Sequence, residues 1–210
     1  REANQRSEQL LHSVMPPSIV ERVRSQGTTF TQRVDACTVL FADIVGFTPM
    51  ASRLSAEDLV ALLNDVFSRF DALTDAHGVE KIKTIGDGYM AACGLPEPRP
   101  DHAHRIARLG LDMLEAIEEF DDLSVRIGVN SGPVLAGIIG RRRIAFDLWG
   151  ETVNLASRME SHGSEACIQV TEATYELLRD DFLFDPGRAI EVKGSGLMTA
   201  YILRERRPIS

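Results

Sequence analysis

The sequence predicts an α+β fold in which one mixed, largely antiparallel sheet carries its helices mainly on one face. Two observations lead to this. Short apolar runs of strand length alternate with two long stretches of helical periodicity, 55–77 and 101–120. The order they make, β-α-β-β-α-β followed by further strands, is the order of a ferredoxin-like core.

Each element has its own signal. Cys37 to Ile44 is a buried apolar run, and Asp43 is the only charge in it. In 55–77, Leu59, Leu62, Leu63, Val66, Phe67, Phe70 and Leu73 recur at spacings of three and four. Ser55 suits the N-cap with Asp58 three residues on, and Gly78 suits the stop. Strands at 79–85 and 88–95 flank Gly86-Asp87-Gly88, a hairpin signal. Asp101 is placed to cap the second helix, which runs to about Phe120. Two strands, 124–130 and 134–139, are expected to join at a turn over Ser131-Gly132-Pro133. A strand at 143–148, a helix from Glu151 to Glu160, a strand at 166–170, a helix at 171–179 and strands at 182–185, 189–193 and 198–203 complete the series.

Residues 1–27 differ from the rest. A polar, helix-permissive stretch is broken at Met15-Pro16-Pro17, and Ile19, Val20 and Val23 then give a short apolar stripe. This stretch reads either as a surface helix that caps the domain or as a connector from an upstream part; we divide the chain into a helical connector at 1–30 and a main domain at 34–205. The chain starts at Arg1 with neither Met nor a signal peptide, so it is expected to be part of a longer protein.

Composition narrows the function. The chain has 210 residues, 44% apolar and 26% charged, as in ordinary globular domains. Its net charge of −8 argues against a nucleic-acid partner, and a polyanionic substrate would need a local cationic patch. Cys37, Cys93 and Cys167 are odd in number and far apart, with neither metal-ligand nor disulfide spacing. The expected setting is reducing and cytoplasmic. No apolar run reaches the roughly 18 residues of a membrane span, so no membrane contact is expected of this segment.

Three segments carry candidate chemistry. In Phe41-Ala42-Asp43-Ile44-Val45-Gly46-Phe47-Thr48, a carboxylate ends an apolar strand, where it needs a compensating cation or donors. In Lys81-Ile82-Lys83-Thr84-Ile85-Gly86-Asp87-Gly88-Tyr89, a second carboxylate sits at a hairpin tip. Taken singly, Asp43 reads as a strand-end cap and Asp87 as a turn residue. If the hairpin lies beside the first strand the two converge, and they then suit hard divalent ions and phosphoryl transfer. In the third segment, Phe146 to Glu160, Asn154 and Arg158 are four apart and share a helix face. They supply donors without negative charge, as a phosphoryl transition state requires, although an ordinary surface helix could carry both.

FADIVGFT, KTIGDGYM, RIGVNSGPVLAGIIG and FDLWGETVNLASRME together resemble the signature blocks of the class III adenylyl and guanylyl cyclase catalytic domain, over about Val34 to Leu203. The resemblance is to the homodimeric, bacterial-like adenylyl type. It implies that Asp43, Asp87 and the Ile44 carbonyl bind two divalent ions, Mg2+ or Mn2+. It implies that Asn154 orients the ribose, that Arg158 contacts the reacting phosphate, and that Arg126 and Lys193 bind phosphates. Base selection falls to Lys83 and Asp147. A Lys donor and an Asp acceptor complement adenine, and guanine presents the reverse pattern. Each buried mismatch would cost roughly 1–3 kcal/mol. A purely structural Lys–Asp pair is the alternative.

The implied reaction is attack of the ribose 3′-hydroxyl of ATP on its α-phosphate, yielding 3′,5′-cyclic AMP and pyrophosphate. Asp43 or solvent could take the proton. His102 and His104 are expected to be surface capping residues, and Arg141-Arg142-Arg143 a solvated turn. Because both halves of such a site are present, the resemblance implies a head-to-tail homodimer with two shared sites. The connector resembles the transducing segment that precedes many such domains, and so implies an upstream sensor or membrane domain. The rival readings are a guanylyl cyclase, which Lys83 and Asp147 oppose, and a non-catalytic nucleotide-binding or dimerisation module, which would lack some of these residues. A diguanylate-cyclase-like enzyme would need an acidic hairpin motif that Gly86-Asp87-Gly88-Tyr89 does not provide.

Overall fold

The computed structural model of the chain describes residues 15, 19–21, 30–140 and 145–208. Most of the connector and the Arg141–Arg143 triplet lie outside the described residues. Strand β1 (Thr31–Ile44) leads through a short helix α1 (Phe47–Ala51) to the long helix α2 (Ala56–His77). Strands β2 (Glu80–Ile85) and β3 (Gly88–Cys93) form a hairpin, followed by α3 (His102–Ile117), β4 (Val125–Ile139) and β5 (Ala145–Trp149). Then come α4 (Glu151–Ser161), β6 (Cys167–Thr171), α5 (Glu172–Leu178), β7 (Phe182–Phe184), β8 (Arg188–Val192) and β9 (Gly196–Arg206).

The strands form one sheet in the order β2-β3-β1-β4-β6-β9-β7, with β5 paired to β4 and β8 to β9. Among the described residues only the β4–β6 pair is parallel, so the sheet is mixed and largely antiparallel as expected. The predicted caps of α2 are present. The Asp58 amide donates to Ser55 Oγ at 3.1 Å, and Gly78 ends the helix with a left-handed φ of 62°.

Alternation along the strands feeds two cores. Leu40, Ala42 and Ile44 of β1 and Val125, Ile127 and Val129 of β4 point to one face, where α2, α3 and α5 supply Phe70, Met113 and Leu178. Val39, Met90, Val134 and Ala136 point to the other, beneath Ala156 of α4. Met15, Ile19 and Val20 are buried in this second cluster. Helices thus lie mainly on one face, and the exception, α4, is the helix that carries Asn154 and Arg158.

Three expectations fail here. Residues 131–133 are not a turn, because β4 runs unbroken for 15 residues. Pro133 lacks an N–H, but it lies opposite a bulge where the β1–β4 register shifts between Val34 and Cys37, so no ladder bond is lost. The Pro133 carbonyl instead accepts from Thr152 Oγ1 at 2.7 Å. His102 is not on the surface. It is 7% exposed, and its Nδ1 lies 2.6 Å from Thr38 Oγ1. Burial lowers its pKa and favours the neutral ring. The Thr38 hydroxyl continues to Ser131 Oγ (2.8 Å), and Ser131 Oγ to Thr174 Oγ1 (2.9 Å), across the core. His104 is half-buried and lies 2.9 Å from Asp181. Asp101 makes no capping bond; its carboxylate accepts from Arg105 Nε at 2.7 Å.

Helix α4 rests directly on β4 at Gly128. A Cβ there would lie 1.9 Å from the Glu160 amide nitrogen and 2.5 Å from the Ala156 carbonyl oxygen. Both are backbone atoms and cannot swing away. Gly128→Ala is therefore expected to cost about 3 kcal/mol or more. A thermal melt should show a fall of roughly 6–12 °C for a domain of this size.

Candidate active site

The site residues fall into three groups. The first gathers at the end of the sheet where β1 stops and β2 turns into β3. Asp43 pairs with Gly88 on one side and with Arg126 on the other. This register brings the hairpin-tip Asp87 next to Asp43, so the predicted convergence occurs. The β1–β3 ladder ends at Asp43, which leaves Ile44 without a ladder partner on that side. Arg126 Nη2 lies 3.4 Å from Asp43 Oδ2 and 3.1 Å from Glu160 Oε1.

Burial raises the Asp43 pKa from 3.8 to about 6; repulsion from Asp87 and Glu160 adds to this, and Arg126 opposes it. The folded chain thus holds a proton that the unfolded chain releases at ordinary carboxylate pH. Above about pH 6 the Asp43 charge opposes folding. Its cost declines as pH falls through that value and vanishes below the ordinary one. In chelator, Asp43→Asn should therefore melt a few degrees above wild type at pH 8, with the gap closed near about pH 4. Equal melting at both pH values would refute the sign.

A half-buried pair of carboxylates that repel each other, with only oxygen donors at hand, suits a hard divalent cation. Among the described residues, no group of three or more His, Cys, Asp or Glu side chains could hold a metal. Cations held by Asp43, Asp87 and the Ile44 carbonyl would thus complete their shells from water or phosphate oxygens.

The second group is Lys83 and Asp147. Lys83 Nζ lies 2.5 Å from Asp147 Oδ2, and Asp147 Oδ1 accepts from the Leu148 amide at 2.8 Å. The third lies on α4. Asn154, Ser157 and Arg158 line a cleft of about 580 Å³ with Lys193, Gly194 and Ser195 of the β8–β9 turn. Among the described residues the side chains of Asn154, Arg158 and Lys193 have no hydrogen-bond or ion-pair partner, so their donors are free for a ligand. Asn130 Nδ2 donates to the Thr152 carbonyl at 3.0 Å and secures the first turn of α4. Neither Asp43 nor Asp87 lines this cleft. The chain thus joins Asp43, Asp87 and Arg126, joins Lys83 to Asp147, and joins Asn154, Arg158 and Lys193, without merging Asp43 and Asp87 with the third group.

Glu160 was not anticipated. It stands at the end of the quoted SRME run, two residues after Arg158, a spacing that turns it to a different side of α4. Its partner Arg126 is distant in sequence, so no local pattern announces the pair.

The chain matches the family described as "Adenylate and Guanylate cyclase catalytic domain" over residues 29–205, and it belongs to that family. An "Adenylate cyclase" of Mycobacterium tuberculosis is 45% identical over 208 residues, covering 96% of this chain and 47% of the relative. The chain thus spans about half the length of this relative. The guanylate cyclase domain of RhGC from Catenaria anguillulae, solved in complex with GTP, superposes with a TM-score of 0.82 at 40% identity, covering 84% of this chain and all of that one. The adenylyl cyclase CyaB from P. aeruginosa superposes with a TM-score of 0.80 at 30% identity, covering 85% and 97%. Among the described residues no helix is long and apolar enough to cross a membrane.

Proposed function

We propose that the chain is the catalytic domain of an adenylyl cyclase, converting ATP into 3′,5′-cyclic AMP and pyrophosphate at two sites shared across a head-to-tail homodimer. The observation that carries the choice of ATP is the Lys83–Asp147 pair, a donor beside an acceptor at 2.5 Å. Lys83 donates to the adenine ring nitrogen, and Asp147 accepts from the exocyclic amine. The homodimer is supported by the separation of groups within one chain, since the Asn154–Arg158–Lys193 cleft lacks Asp43 and Asp87. A second copy, turned head to tail, supplies them.

In this reading Arg126 and Lys193 hold the triphosphate and Asn154 orients the ribose. The 3′ oxygen forms a bond to the α-phosphorus as the bond to the β-phosphate oxygen breaks, and pyrophosphate leaves. The hydroxyl proton passes to Asp43 or to solvent. Arg158 offsets the charge that gathers on the α-phosphate. Asp43, Asp87 and the Ile44 carbonyl would hold two divalent cations, Mg2+ or Mn2+, which when bound would acidify the hydroxyl and neutralise the leaving phosphates.

The free cysteines fit a reducing, cytoplasmic setting. The catalytic domain occupies 34–205, and 1–30 connects it to an upstream sensor or membrane domain. Incubation with ATP or GTP and either metal, followed by product identification, tests the reading. Cyclic AMP is the expected dominant product. Cyclic GMP in its place would overturn the base assignment, and no product at any protein concentration would leave a binding module.

A further inference from the structure

Lys81 and Lys83 are two apart on β2, and in a regular strand they would point to the same face. They do not. Lys81 pairs opposite Ala91, whereas Lys83 pairs opposite Met90, so one extra residue is accommodated at Ile82. Continuing the Lys81–Ala91 register without this bulge would set Lys83 opposite Tyr89, on the α2 face. The bulge turns it to the face of Met90, where it meets Asp147.

Bulges disrupt the ladder locally and need something to hold them. Here the other face is clamped by Asp71 of α2. Its carboxylate accepts from Lys81 Nζ at 2.7 Å and from the Tyr89 hydroxyl at 2.7 Å. Lys81 also lies over the Tyr89 ring, 5.2 Å from its centroid. Tyr89 is 1% exposed and packs against Phe67 and Phe70 of α2. One carboxylate thus grips the β2–β3 hairpin on both strands, two residues before Lys83 and two residues after Asp87.

We propose that Asp71 is a specificity-positioning residue: by holding Lys81 and Tyr89 on the α2 face it fixes the bulge at Ile82 that presents Lys83 to the base. Asp71 touches no substrate and acts through Lys81. The inference rests on the reading of Lys83 and Asp147 as the adenine-selecting pair.

The test is the ratio of kcat/KM for ATP to that for GTP in wild type, Asp71→Asn, Lys81→Gln and Lys81→Arg, with melting temperatures as a check on folding. Asp71→Asn and Lys81→Gln should each lower the ratio about tenfold, the discrimination of roughly one charged hydrogen bond. Lys81→Arg, which keeps the charge, should stay within about twofold of wild type. Should Asp71→Asn fail to fold, Lys81→Gln, whose side chain is 36% exposed, carries the test alone. If the neutral variants keep the wild-type ratio, or lose ATP and GTP turnover in equal proportion, the clamp is refuted and the adenine reading stands. A wild type without preference for ATP would overturn the adenine reading and the clamp together.

Discussion

Asp43→Ala and Arg158→Ala chains, each expected to be inactive alone, should recover about a quarter of wild-type activity when mixed in equal amounts and allowed to exchange subunits. The fraction follows from the geometry proposed for the dimer. Random pairing makes half of the dimers mixed. In a mixed dimer one site receives both lesions, and the other receives none, because its carboxylates come from the Arg158→Ala copy and its arginine from the Asp43→Ala copy. Half of the dimers with half of their sites intact gives about a quarter. The arrangement in one chain motivates the experiment. The cleft lined by Asn154, Arg158 and Lys193 contains neither Asp43 nor Asp87. Absence of recovery, with exchange verified by differently tagged copies, would mean that each chain assembles its own site.

The second large effect is on turnover by Arg158→Ala. We expect kcat to fall by about 10²–10³, the usual cost of removing one group that stabilises developing charge, with KM for ATP within about threefold of wild type. Arg158 is exposed in the cleft, and among the described residues its side chain has no partner. Its loss therefore breaks no internal bond, and the fold should be unaffected. In the proposed site Lys83, Arg126 and Lys193 would continue to bind base and phosphates, so ground-state affinity should survive. Arg158→Lys should recover only part of the rate, because an ammonium cannot reproduce the planar fork of a guanidinium. A rise in KM with kcat unchanged would make Arg158 a binding residue only.

Much of this was legible in the sequence, and the exceptions share a cause. The caps of α2 and the tip of the β2–β3 hairpin obey rules written over a few neighbouring residues, and Ser55, Gly78 and Asp87 appear where those rules put them. The unbroken course of β4 was hidden because Gly132-Pro133 is a local turn signal, and what cancels it is a bulge on β1, about a hundred residues earlier. His102 looked like a capping residue because its partner, Thr38, is 64 positions away. The opposed facing of Lys81 and Lys83 depends on an extra residue that alternation alone cannot reveal. The motif blocks identified which side chains to watch. The distances among them, and the separation of the α4 cleft from the carboxylates, came only with the tertiary structure.

The bare contact at Gly128 has a mechanical consequence. At Gly128 backbone meets backbone, and no compressible side chain lies there between α4 and the strand beneath it. The helix has little clearance to slide at that point, so Asn154 and Arg158 are expected to move with the sheet. In the proposed homodimer, an input from the proposed upstream domain would therefore act as a hinge acts on a pair of jaws, by changing how the two copies meet.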